Sequence, residues 1–136
     1  MRLLLDINVL LDATLGREPW ASEGVALLGA IESGHGDGHV ASHTLPTVYY
    51  VVERTRGRSA AASAVSDLLR IVDVVPLARP DVQHALALGM PDFEDALQAV
   101  SALKVEADAI VTRDASGYAG FPVPTLLPGA ALARLG

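Results

Sequence analysis

The sequence of 136 residues has no cysteine, a single lysine (Lys104) and only 4% aromatic residues. Without cysteine there are neither disulfides nor thiolate metal sites, so any metal must be held by oxygen or imidazole. With few aromatics, the 51% of apolar residues are mostly Ala, Leu and Val, a composition that suits helices packed closely on a sheet. No apolar run approaches ~18 residues, which excludes a spanning helix on sequence grounds. Arg2 precedes only a brief apolar run that meets Asp6 at once, so no signal peptide is expected and the reading is a cytoplasmic protein. A basic surplus is also missing. The net charge of −6 argues against broad nonspecific nucleic-acid binding, although Arg54, Arg56 and Arg58 lie close together. An acidic total is equally what a site of several carboxylates produces, since a divalent cation offsets it. The length predicts one domain.

What is present begins with Leu3-Leu4-Leu5, too continuous for a half-exposed strand and too short for a helix. It reads as a fully buried strand of a parallel sheet, and it stops at Asp6. The crevice beyond the carboxyl ends of such strands is where ligands bind, but an Asp there also serves as an ordinary helix cap. Helix spacing then runs to Gly16, and a second helix is predicted over 20–31 with Val25, Leu27, Leu28 and Ile31 on its inner side. The stretch 33–38 is a glycine-rich loop, which makes His35, His39 and His43 loop histidines rather than a helical ligand pair. A short strand is expected at 39–42, a helix from Ser42 or Thr44 through Arg54, and another over 59–70 with Val65, Leu68 and Leu69 in the core. A strand at 71–77, helices over 80–88 and 92–106, a strand at 109–112, a short strand at 125–127 and a terminal helical turn complete the pattern. Alternation at these spacings predicts an α/β/α sandwich of three layers with a mostly parallel central sheet.

On a helical wheel, Ala96, Ala99 and Leu103 form one stripe bordered by Asp92 and Asp95, widened by Phe93, Leu97 and Val100. Glu94, Gln98 and Ser101 point away. Asp92 is well explained as an N-cap, whereas Asp95 leans toward the packed side, where an acid is costly unless paired or metal-bound. The strand Ala109-Ile110-Val111-Thr112 again ends in acid, at Asp114. If this strand lies beside the first, Asp6, Asp95 and Asp114 share one sheet edge, and carboxylates gathered there repel unless a cation sits among them. Hard oxygen ligands favour Mg²⁺ or Mn²⁺.

The stretches 5–12 (Leu5-Asp6-Ile7-Asn8-Val9-Leu10-Leu11-Asp12), 92–97 (Asp92-Phe93-Glu94-Asp95-Ala96-Leu97) and 110–114 (Ile110-Val111-Thr112-Arg113-Asp114) resemble the three signature stretches of PIN-domain proteins. They most resemble the VapC-like toxin ribonucleases of bacterial toxin–antitoxin modules. The resemblance implies a single PIN-like domain over residues 1–136, acting as a metal-dependent endoribonuclease. Asp6, Asp95 and Asp114, with Asp92 as a further candidate, would hold one or two Mg²⁺ or Mn²⁺ ions that activate water against an RNA phosphodiester. Asn8, Thr47 and Thr112 would orient the site; Arg113 and Arg54 are candidate contacts to RNA phosphate, with a surface ion pair an equal reading of Arg113 and a solvated helix end an equal reading of Arg54. It also implies a small antitoxin whose segment occupies the groove, and a homodimer. Two departures from the family pattern stand out. Thr47 takes the place of a Glu usual early in the third helix, and Ser116-Gly117-Tyr118 stands where many relatives carry another Asp. These departures motivate a second reading, a degenerate PIN-like domain that binds RNA or protein without cleavage. A third, a phosphatase or receiver-like domain with a nucleophilic Asp6, is disfavoured because the sole lysine lies mid-helix.

Overall fold

Alternation within the first strand sets the layers. In the computed structural model, which describes residues 1–136, β1 (Arg2–Leu5) sends Leu3 and Leu5 into one apolar cluster and Leu4 into another on the opposite face. All three leucines are fully buried, as expected of a strand covered on both sides. The other elements follow as α1 (Ile7–Leu15), α2 (Ala21–Glu32), β2 (Asp37–Ala41), α3 (Thr44–Arg56), α4 (Arg58–Leu69), β3 (Val72–Val75), α5 (Arg79–Ala87), α6 (Phe93–Lys104), β4 (Ala109–Val111), a 3-10 turn over Ala115–Tyr118, β5 (Thr125–Leu126) and α7 (Pro128–Leu135). The five strands are all parallel in the order β3-β2-β1-β4-β5. Helices α1 to α4 and α7 cover the Leu3 and Leu5 face, and α5 and α6 cover the Leu4 face. The sandwich is therefore three-layered, with strand order reversing at β1. No helix is long and apolar enough to cross a membrane.

Several residues sit differently from the sequence expectation, each for a packing reason. Val25 is 56% exposed because it lines an open groove between α2 and the α3–α4 pair, not the core. Leu69 is likewise exposed, since α4 reaches the core through Ala61 and Leu68. On α6, Gln98 and Ser101 are fully buried while Leu103 is partly exposed. Here the helix is covered by α5, by the sheet and by the 3-10 turn, so its buried arc is wider than one stripe. The loop at 33–38 is shorter than expected because β2 begins at Asp37. Gly38 is a strand residue whose missing side chain lets Val72 and Ile31 approach to 3.1 and 3.2 Å of where a Cβ would be. The tail forms a full helix rather than a turn. Pro128 suits its first position, and Ala131, Leu132 and Leu135 pack onto the larger cluster.

Candidate active site

The reversal of strand order leaves a crevice beyond the ends of β1 and β4, where open parallel sheets bind ligands. Leu5 pairs with Val111, and the Asp6 N–H donates to the Val111 carbonyl at 2.9 Å. Asp6 and Thr112 thus leave the sheet side by side. Asp6 is the N-cap of α1, with its Oδ1 accepting the Asn8 amide N–H at 3.1 Å. Its Oδ2 accepts two hydroxyls, from Thr112 at 3.0 Å and from Tyr118 at 3.3 Å. The carboxylate is 4% exposed, and these three donors meet the hydrogen-bonding need that burial creates. Thr112 Oγ1 in turn accepts the Asp114 N–H at 3.0 Å, and Ser116 donates to Asp114 Oδ1 at 2.5 Å. The threonine ties the two strand-end acids into one network.

Asp95 comes from the first turn of α6, whose N-cap is Asp92. The Asp92 Oδ1 accepts the Asp95 N–H at 3.0 Å. Burial, together with the charges of Asp92, Asp6, Asp114 and Glu94, raises the Asp95 carboxyl from 3.8 to about 6. Acids from three separate elements therefore act on one carboxyl group. Gly117 packs directly on it, such that a side chain there would place its Cβ 2.5 Å from Asp95 Oδ2. No three His, Asp or Glu side chains converge on one point as a ready-made ligand set. The donor chemistry nevertheless fits a hard divalent cation, because the acids offer only oxygen donors and positive charge would relieve their mutual repulsion.

The remaining candidates are placed as follows. Asn8 contributes its backbone N–H to Asp6. Thr47 returns its hydroxyl to the His43 carbonyl at 2.9 Å, one turn back, and so brings no acid to the edge. Arg54 lies ten residues into α3, about 15 Å along the helix from its start, stacked on Tyr50 at 5.5 Å and outside the acid cluster. Arg113 is engaged elsewhere. Its Nε is 2.8 Å from Asp12 Oδ2, and its guanidinium lies over Trp20 at 5.5 Å. Asp12 is 1% exposed, and Arg17 adds a longer contact at 3.9 Å. Removing one partner of a buried pair strands the other charge. Arg113→Ala should therefore cost about 2–3 kcal/mol, read by urea unfolding, with part of the loss recovered in Arg113→Ala/Asp12→Ala.

Three residues of this edge escaped the sequence reading. Gln98 and Tyr118, both buried, extend the Asp6 network. Of the three expected loop histidines, His39 lies within β2 instead, while His43 sits in the turn before α3 as its N-cap, with both ring nitrogens buried and unpartnered. Burial pushes its imidazole below 6.5, and the charges of Glu94 and Asp6 pull it upward. Only the scarcity of aromatics, which sets Tyr118 apart, was a usable signal in the sequence.

The comparisons with known proteins bear on the family and the fold. Ribonuclease VapC1 of Aquifex aeolicus is 26% identical over 122 residues, covering 86% of this chain and 84% of that protein. A solved structure of Mycobacterium tuberculosis VapC20, described as a sarcin-ricin loop cleaving toxin, superposes with a TM-score of 0.71 at 16% identity, over 88% of this chain and 95% of that one. A toxin–antitoxin complex from Klebsiella pneumoniae gives 0.69 at 19% identity, over 93% and 97%. The family model described as PIN domain matches residues 2–116, which include every strand-end acid and the whole of α6. This chain belongs to the PIN-domain family.

Proposed function

We propose that the protein is a Mg²⁺- or Mn²⁺-dependent endoribonuclease that hydrolyses RNA phosphodiester bonds in the cytoplasm, as the toxin of a toxin–antitoxin module. The observation that supports this reading is that Asp6 and Asp114 follow the ends of the adjacent parallel strands β1 and β4, while Asp95, from the first turn of α6, is raised in proton affinity by burial and by Asp92, Asp6, Asp114 and Glu94. The similarity to a protein named as a ribonuclease and to a sarcin-ricin loop cleaving toxin supports RNA as the substrate. Asp6, Asp95 and Asp114, with Asp92 beside them, would hold the cation. When bound, a divalent ion supplies a reactive water at neutral pH and offsets phosphate charge. Thr112 and the Asn8 N–H hold the Asp6 carboxylate in one orientation, and the exposed Asp114 stays accessible from solvent.

The partner half of the reading rests on surface. An open groove of about 530 Å³ runs between α2 and the α3–α4 pair, with Val25, Leu28 and Ile71 among its walls and Glu32, Arg56 and Asp67 at its margins. An amphipathic antitoxin segment fits such a groove, and the likeness to a toxin–antitoxin complex supports it. A homodimer belongs to the same reading, with Leu86 and Phe93 as exposed apolar residues on α5 and α6.

The test is cleavage of a labelled, partly single-stranded RNA by protein freed of any antitoxin. Cutting with Mg²⁺ or Mn²⁺ that EDTA abolishes is the expected result. One observation favours a second reading, a PIN domain that binds RNA or protein without cutting: Thr47 leaves the α3 side of the edge without a carboxylate. Folded protein that binds this RNA yet leaves it intact with either metal would establish that alternative.

A further inference from the structure

A chain of hydrogen bonds runs from the backbone of α1 back to Asp6 through two side chains distant in sequence. The Ile7 N–H donates to Gln98 Oε1 at 3.0 Å, Gln98 Nε2 donates to the Tyr118 hydroxyl at 2.7 Å, and that hydroxyl donates to Asp6 Oδ2 at 3.3 Å. Gln98 is 1% exposed and Tyr118 3%. The phenol ring lies in an apolar cluster with Leu4, Val75, Ala99, Ala102 and Ile110, where a phenylalanine would pack as well. Its hydroxyl is thus dispensable for the core, and a buried polar chain is rarely worth more to stability than apolar packing of the same volume. What the hydroxyl adds is a second donor on one oxygen of the strand-end acid.

We propose that Tyr118 is a positioning residue for Asp6, fixing the orientation in which this carboxylate meets a divalent cation. The 3-10 turn that carries it serves both sides of the site, because Gly117, its neighbour, gives Asp95 the room its carboxylate occupies. Tyr118 and Thr112 together hold Oδ2, and the Asn8 N–H holds Oδ1, so neither oxygen turns freely. Gln98 completes the assignment by aiming the hydroxyl, since its amide donates to the phenolic oxygen and leaves that oxygen's own proton for Asp6.

The inference rests on the metal-nuclease reading, and its test separates the two. Mn²⁺ binding is measured calorimetrically on the full chain, without RNA, for the wild type, Asp6→Asn, Tyr118→Phe, Gln98→Met and Leu4→Val. Loss of an orienting partner typically weakens metal binding ~10–100-fold; with Thr112 still in place, Tyr118→Phe should fall at the low end, about tenfold, and Gln98→Met should fall with it. Leu4→Val loosens the same apolar cluster without touching the hydrogen-bond chain. It should lower Tm and leave Mn²⁺ affinity unchanged. Equal affinity in Tyr118→Phe and the wild type overturns the assignment while leaving the metal reading intact. Equal weakening in Leu4→Val and Tyr118→Phe also overturns it, as an effect of packing alone. Should Tyr118→Phe fail to fold, unchanged affinity in Gln98→Met overturns the assignment and a loss there supports it. A wild type that takes up no Mn²⁺ overturns both.

Discussion

Asp95→Asn should abolish RNA cleavage and at the same time make the protein more stable. On the metal-nuclease reading, loss of one ligand removes several kcal/mol of transition-state stabilisation, about 10³-fold or more in rate. The stability gain follows from removing a charge that burial first, and like charges second, make costly. The Asp95 carboxyl is raised to about 6 by burial and by Asp92, Asp6, Asp114 and Glu94. A group whose folded value is raised contributes its full stability below the unfolded value and loses it as pH rises through the folded one. Wild-type stability in EDTA should therefore decline between about pH 4 and pH 6, whereas Asp95→Asn should not share that decline. A rise from 3.8 to about 6 corresponds to roughly 3 kcal/mol at ~1.36 kcal/mol per pH unit, reduced to about 1–2 kcal/mol because the carboxylate is partly solvated. The α6 dipole opposes this by favouring an anion in its first turn, worth about 0.3–1 kcal/mol. The cost of burial and repulsion wins, leaving a net gain of about 1 kcal/mol and a Tm higher by a few degrees at pH 7. Thermal melts at pH 4 and pH 7 check this directly. No difference between the two proteins at pH 7 would show that the acids do not act on one another.

How much of this was legible in the sequence depends on which interaction fixes each residue. The buried strands declared themselves through continuous apolar runs, and Asp6, Asp92 and the order of elements followed from local rules of capping and periodicity. The adjacency of β1 and β4 was conditional in the sequence and is definite in the fold, because parallel pairing is a long-range choice no local signal encodes. Gln98 was read as solvent-facing because a wheel assumes one buried stripe, while α6 is enclosed by α5, the sheet and a 3-10 turn that periodicity did not announce. Tyr118 lies in that same turn, and its meaning depends on Asp6 across 112 positions. His43 lies in a connecting turn as expected, but its burial near Asp6 and Glu94 comes from the packing of distant elements, which no local signal gave. Arg113 looked like a phosphate contact because it adjoins Asp114 in sequence. Its partner Asp12 lies about a hundred positions away, and burial of that carboxylate is what claims the guanidinium.

The two central acids should behave oppositely when each is removed. Asp6→Ala loses cleavage as Asp95→Asn does, but it should also destabilise the fold. The N-cap of α1 is lost, at about 1 kcal/mol. The Thr112 and Tyr118 hydroxyls, which both donate to Asp6 Oδ2 inside the protein, are left without that acceptor at about 1–3 kcal/mol in all. Removing a negative charge from the cluster returns a smaller amount, since Asp6 is the lesser of the two leading charges acting on Asp95. The balance is a loss of about 2–3 kcal/mol, visible as a lower urea midpoint with the slope unchanged. Asp6→Asn separates the contributions, because asparagine caps a helix as well as aspartate does, and its amide NH2, in the place of Oδ2, can donate to the Thr112 and Tyr118 hydroxyl oxygens. It should be equally inactive yet lose no more than about 1 kcal/mol. If Asp6→Ala instead proved as stable as Asp6→Asn, the hydrogen bonds to Thr112 and Tyr118 would be worth little, and Asp6 would resemble Asp95, an acid held at the edge against the preference of the fold.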